Sequence, residues 1–130
     1  MRFHLIVNPQ ARMYRRDATL LAEVEAIGRG RAKVHVTRDL DELALVADQL
    51  AHEDPDVVML SGGDGSLMAG VTALARALGD RQLPAIAPLP GGTAGTIARN
   101  WGIAGDPREA LRRIFRVPRR YRPHPSLAVV

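Results

Sequence analysis

Apolar positions recur along this chain in two textures that alternate throughout. "FHLIVN" is a short apolar run closed by Asn8-Pro9, the pattern of a strand. "DATLLAEVEAIGRG" carries apolar residues at helical spacing, opens on Asp17 as a candidate cap and ends at glycine. The pair repeats as "KVHVT" and "DLDELALVADQLAHEDP", with Asp39 and Glu42 spaced as a capping box, and again as "DVVMLSGG" and "DGSLMAGVTALARALGD". A fourth apolar run, "LPAIAPLP", leads into "GGTAGTIARNWGI". The helix pattern "DPREALRRIF" follows, with Asp106 as cap, Pro107 at the first helical position and Glu109 closing a box. Alternating strands and helices predict a three-layer α/β/α, Rossmann-like domain with a mostly parallel sheet and helices on both faces.

The chain's end breaks the alternation. After "VPRRYRPHP" comes "SLAVV", an apolar run with neither turn nor cap. The expected organisation is therefore a domain over residues 1–116, then a linker and the first strand of a further domain over 117–130. An apolar strand left unpaired there could also pair two copies into a homodimer.

Composition narrows the chemistry. The 130 residues are 46% hydrophobic and 25% charged, a globular balance. No cysteine is present, which excludes disulfides, thiolate metal sites and cysteine nucleophiles. No apolar run approaches the roughly 20 residues of a membrane span, and the first residues lack a signal-peptide pattern, so the chain reads as cytoplasmic. The net charge of +4 is uneven: residues 108–122 hold seven arginines and one acid, Glu109. Removing these from totals of 18 and 14 leaves 11 basic and 13 acidic residues elsewhere. Such a cluster suits an anionic membrane surface, although a solvated helix face is the commoner explanation. With Tyr121 as its only aromatic ring apart from Phe115, it is poorly equipped to stack on single-stranded nucleic acid, and no nucleic-acid partner is expected.

Ligands of open parallel sheets bind at the carboxyl ends of the strands. The loops there are "NPQAR", "TRD", "SGGDGS" and "PGGTAG". Glycine-rich turns of this type cradle phosphate, because glycine permits positive φ and close backbone approach while a helix N-terminus adds partial positive charge. A Walker loop is excluded because the single lysine, Lys33, lies far from either turn; the G-x-G-x-x-G fingerprint fails at Met68. His4, His35, His52 and His124 show no metal-ligand spacing, and His4 and His35 read as structural. Asp64, flanked by Gly62, Gly63 and Gly65 and followed by Ser66, either caps its helix or serves a phosphate ligand by taking a hydroxyl proton or meeting Mg²⁺.

"IVNP", Thr37, "SGGDGS" and "PLPGGTAGTIARNWGI" stand in an order and spacing that resembles the diacylglycerol kinase catalytic-domain family. That family includes bacterial lipid kinases and sphingosine kinases, with NAD kinases and phosphofructokinases as distant relatives. The resemblance implies transfer of the γ-phosphoryl of ATP, with Mg²⁺, to a lipid hydroxyl. It further implies that this chain is the nucleotide-binding half, a second domain supplying the lipid pocket and further carboxylates. Carried over residue by residue, Asn8, Pro9, Arg12, Thr37, Gly62, Gly63, Asp64, Gly65, Ser66, Gly92 and Thr93 would form the nucleotide site, with Asp64 catalytic. Ser66 stands where the family has threonine; Met68 and Ala69, and Gly95 and Thr96, stand where it more often has Asn-Glu and Asn-Asp. Two other readings stay open: a soluble-substrate kinase similar to NAD kinase, and a nucleotide-binding module without catalysis.

Overall fold

The structure, a computed structural model, describes residues 2–90 and 106–116. The second glycine-rich segment, with Gly92, Thr93, Gly95 and Thr96, and the expected linker and strand of 117–130 lie outside the described residues. The described elements run β1 (Phe3–Val7), α1 (Arg12–Arg16), α2 (Leu20–Gly28), β2 (Ala32–Val36), α3 (Leu40–Glu53), β3 (Val57–Gly62), α4 (Asp64–Leu78), β4 (Ala85–Pro90) and α5 (Pro107–Phe115). All four strands are parallel, in the order β2-β1-β3-β4. Phe3 pairs with Ala32 on one side and Val57 on the other, and Val57 pairs with Ala85.

Strand alternation divides the core. Leu5 and Val7, with Val57 and Met59, face a cluster closed by Leu20 and Val24 of α2 and Ala110 and Leu111 of α5. Ile6, Val58 and Leu60 face the opposite cluster, closed by Leu43, Ala47 and Leu50 of α3 and Leu67, Val71 and Leu74 of α4. Helices thus cover both faces, as the alternation of patterns predicts. Pro88 and Pro90 have no N–H to give, which suits the place of β4 at one edge of the described sheet.

Local signals were met unevenly. Asp39 caps α3, its Oδ1 accepting the Glu42 N–H at 2.8 Å, while Glu42 Oε1 reaches back to the Arg38 N–H at 2.8 Å. Asp106 caps α5 by accepting the Arg108 N–H at 2.7 Å, with Pro107 at the first helical position. Glu109 does not complete a box there; its carboxylate sits 3.5 Å from Arg112. Asp17 does not cap α2, whose cap position is Thr19; it instead accepts the Thr19 N–H and Oγ1–H in a turn before the helix. The five-residue α1 lies within what the sequence presents as a loop.

The arginine cluster changes meaning. Arg108 reaches Glu23 at 2.6 Å, Asp106 at 2.9 Å and Asp17 at 3.5 Å, tying α5 to α2 rather than facing an external anion. Arg31 donates to the Phe115 carbonyl at 2.9 Å and lies over its ring, closing the C-terminal end of α5. Among the described members of the cluster, Arg112, Arg113 and Arg116 are exposed, Arg112 beside Glu109.

His4 and His35, on neighbouring strands, stack with ring centres 5.4 Å apart and His4 Nδ1 3.1 Å from His35 Nε2. His4 Nε2 is 3.3 Å from Glu53, which also holds Lys33 at 3.1 Å. The contacts fit a single chain of neutral tautomers: His35 Nε2–H donates to His4 Nδ1, and His4 Nε2–H donates to Glu53. Desolvation lowers the pKa of His4, opposed by Glu53 and assisted by Lys33. Desolvation, then the neighbouring His4 and Lys33, lowers His35 to about 4.

Both imidazoles therefore titrate below their unfolded value of about 6.5, so the unfolded chain binds more protons as pH falls. Stability is expected to be complete above pH ~6.5 and to decline toward pH ~4. Partial solvent access at His35 limits the loss to roughly 2 kcal/mol. Urea denaturation from pH 7.5 to 4.5 should show this slope, and His35→Gln should remove most of it.

Candidate functional site

The order β2-β1-β3-β4 obliges the chain to leave β1 toward one edge and return to the other side, so the loops after β1 and β3 diverge. A crevice opens between them at the carboxyl ends of the strands, where open α/β sheets take ligands. Its cavity measures about 240 Å³. Asn8, Gln10, Thr37, Arg38 and Ser66 supply polar wall groups, and Ile6, Leu43, Leu60 and Ala69 supply an apolar side.

Asn8 organises one wall and has each of its polar groups engaged. Its N–H donates to the Ser61 carbonyl at 3.0 Å, extending the ladder one step beyond β1. Its side-chain oxygen accepts the Gln10 N–H at 2.9 Å and its carbonyl accepts the Ala11 N–H at 3.1 Å, folding the loop into a tight turn. Its side-chain Nδ2 donates to Ser66 Oγ at 2.7 Å, joining the loop after β1 to the first turn of α4. On the far side, buried Thr37 donates its N–H to the Val7 carbonyl at 2.9 Å.

The glycine turn is steric in origin. Within the described residues positive φ among glycines occurs at Gly30 and Gly79, so Gly62, Gly63 and Gly65 are not there for left-handed backbone, one of the two reasons the sequence offered. Close approach is the reason at Gly62: a Cβ there would lie 2.5 Å from Ser66 Cβ and 2.6 Å from its Oγ. At Gly65 a Cβ would meet nothing within 4 Å, so that residue borders open space.

Asp64 is the first residue of α4 rather than its cap; the cap position belongs to Gly63, which has no side chain to satisfy the first turn. The first intrahelical bond runs from the Leu67 N–H to the Gly63 carbonyl at 3.0 Å. First-turn donors ahead of it have no partner inside the helix, and together with the helix dipole they favour negative charge at this end. Asp64 thus stands one residue past the cap position, in the first turn of α4.

Of the residues singled out from sequence, Asn8, Thr37 and Ser66 meet in the crevice wall, and Gly62, Gly63, Asp64 and Gly65 form the turn below it. Pro9 belongs to the turn after β1. Arg12 opens α1, exposed, and is not part of the cavity wall. Gly92 and Thr93 lie outside the described residues. Sequence reasoning missed Gln10 and the apolar wall, whose residues look like ordinary core, and missed the 2.6 Å contact between the Tyr14 hydroxyl and Ser61 Oγ. A serine placed between Leu60 and Gly62 in an otherwise apolar strand was the available signal.

A doubly wound parallel α/β domain, with a glycine turn and a helix N-terminus at its switch point, is the class of protein that fold and site define. Residues 2–121 match the diacylglycerol kinase catalytic domain, and the chain belongs to that family. A curated relative described as "Probable lipid kinase YegS-like", from Stenotrophomonas maltophilia (strain K279a), is 38% identical over 95 residues. That alignment covers 67% of this chain and 30% of the relative. A solved diacylglycerol kinase structure from Bacillus anthracis str. Sterne superposes with a TM-score of 0.66 at 26% identity, covering 87% of this chain and 41% of that one. The chain thus spans well under half of each of these relatives. No helix among the described residues is long and apolar enough to cross a membrane.

The two glycines should respond oppositely to alanine. Gly62→Ala is expected to destabilise the domain by about 1–3 kcal/mol, since the added carbon must displace Ser66. Gly65→Ala, in a helical turn with open space, should leave stability unchanged or raise it by about 0.5 kcal/mol. Chemical denaturation of both variants beside the parent measures the contrast.

Proposed function

We propose that this chain is the ATP-binding half of a lipid kinase that transfers the γ-phosphoryl group of ATP to a lipid hydroxyl of diacylglycerol type. The observation that carries the reading is the Gly62–Ser66 turn at the switch point, tied to the other wall of the crevice by Asn8. Open space at Gly65, the helix N-terminus at Asp64 and the hydroxyl of Ser66 suit a phosphate chain, and the half-apolar cavity beside them suits a base and sugar.

Mg²⁺ fits this donor set in one way. No group of three or more His, Asp or Glu side chains able to hold a metal occurs among the described residues, and Asp64 is the carboxylate of the turn. Magnesium is commonly held by one or two carboxylates together with substrate phosphates, an arrangement that Asp64 and a bound nucleotide would satisfy. When bound, the ion neutralises phosphate charge.

The chain's own residues then bind and position. Backbone donors at the start of α4 hold phosphate oxygens, Asn8 and Thr37 fix the crevice walls, and Asp64 provides the negative group for the cation or for the acceptor hydroxyl's proton. The lipid pocket and any further carboxylates belong to a second domain that residues 117–130 would lead into. Exposed Arg113 and Arg116 could add a weak contact with an anionic membrane, at about 1 kcal/mol per residue.

The test uses the complete natural protein with γ-labelled ATP, Mg²⁺ and a panel of diacylglycerol, sphingoid bases, phosphatidylglycerol and NAD. Label is expected in one lipid, with Asp64→Asn lowering the rate by at least about 100-fold while the fold persists. Label in NAD alone would replace this reading with that of a soluble-substrate kinase. ATP binding without transfer to any acceptor would leave a non-catalytic nucleotide-binding module.

A further inference from the structure

We infer that Tyr14 is a positioning residue for the nucleotide crevice, acting through Ser61 on the glycine turn; the inference rests on the function proposed above. Helix α1 has five residues, too few to be stable alone, and Tyr14 is its buried one. The ring lies in the cluster with Leu5, Val7, Leu20 and Val24, while the hydroxyl passes through that apolar layer to Ser61 Oγ at 2.6 Å. Ser61 is the residue immediately before Gly62 and also borders the crevice. Its carbonyl accepts from Asn8, so the strand end is held from one side by the loop after β1 and from the other by α1.

A buried hydroxyl pair of this type adds little net stability over an apolar pair of similar shape, because each partner gives up water to make the bond. What it adds is direction. The bond fixes the Ser61 side chain and the exit path of β3, and Gly63 alone separates that strand from α4. Any rotation at Ser61 is therefore passed to Gly62, which faces Ser66 so closely that a Cβ there would not fit. Phosphate-binding donors must be held to within about half an ångström to be effective. Burial pushes the Tyr14 phenol up to about 12, so the group keeps its proton at any ordinary working pH.

The experiment measures steady-state kinetics of the complete natural protein against Mg·ATP at saturating lipid, with thermal unfolding alongside. Tyr14→Phe keeps the ring and removes the hydroxyl; Ser61→Ala removes the other partner. Each is expected to raise the KM for ATP about 5- to 10-fold while changing kcat less than about 2-fold, and the double variant should be no worse than either single one. An unchanged KM with a lowered Tm would overturn the inference and leave Tyr14 as a core anchor, as would single effects that multiply in the double variant. Should Tyr14→Phe fail to fold, Ser61→Ala reads the same KM alone. A parent protein that binds no ATP would instead overturn the proposed function, and this inference with it.

Discussion

Everything at the crevice depends on one close approach. Strand β3 ends at Gly62 and helix α4 begins at Asp64, so the chain changes from extended to helical across the single residue Gly63. That economy brings the strand end so near the first turn of the helix that a Cβ on Gly62 would lie 2.5 Å from Ser66. Because Ser66 is drawn in, its hydroxyl comes within 2.7 Å of the Asn8 amide and the two loops of the switch point are joined. Were the connection longer, Asn8 would have no partner across the gap.

The two ends of the sheet solve their polar problem differently. At the amino ends of the strands, charged and polar groups satisfy one another: Arg2 donates its N–H to Asp56 at 2.6 Å and its guanidinium to the Glu53 carbonyl, and Glu53 in turn meets His4 and Lys33. That closed network leaves little to offer a ligand. At the carboxyl ends, the Asn8 and Ser66 side chains join two loops and the Thr37 backbone extends the ladder, and all three residues line the cavity. Both ends are polar and a cleft beside Asp56 and Arg81 opens at the amino ends too, but the glycine turn and the start of α4 lie at the carboxyl ends.

Much of this was legible in the sequence because periodicity is local. Runs such as "FHLIVN" and "DVVMLSGG" announce strands whatever their neighbours, and Asp39 and Asp106 mark helix starts by a rule that spans three residues. That a glycine turn joins the third strand to the helix after it was legible for the same reason. Order within the sheet was not, because nothing local says on which side of β1 the next strand will pair. Helix α1 escaped because five residues with one buried side chain carry no period. The reason for Gly62 was not legible either, because the lack of room for a Cβ there depends on where Ser66 lies in space. Tyr14 and Ser61 meet across 47 positions, and no spacing rule reaches so far.

The question left by the glycine turn is why a carboxylate stands where a phosphate is to bind. Two unit charges 4 Å apart repel by about 4 kcal/mol at an effective dielectric constant of 20. A helix N-terminus returns about 0.3–1 kcal/mol to a nearby anion, too little to offset that repulsion. Under the proposed function, Asp64 therefore makes the site selective: a bare polyphosphate is repelled, while one that arrives with a divalent cation meets a carboxylate able to face that cation. A neutral residue at position 64 would remove the repulsion and the discrimination together, so tighter binding of metal-free nucleotide and loss of transfer would share one cause.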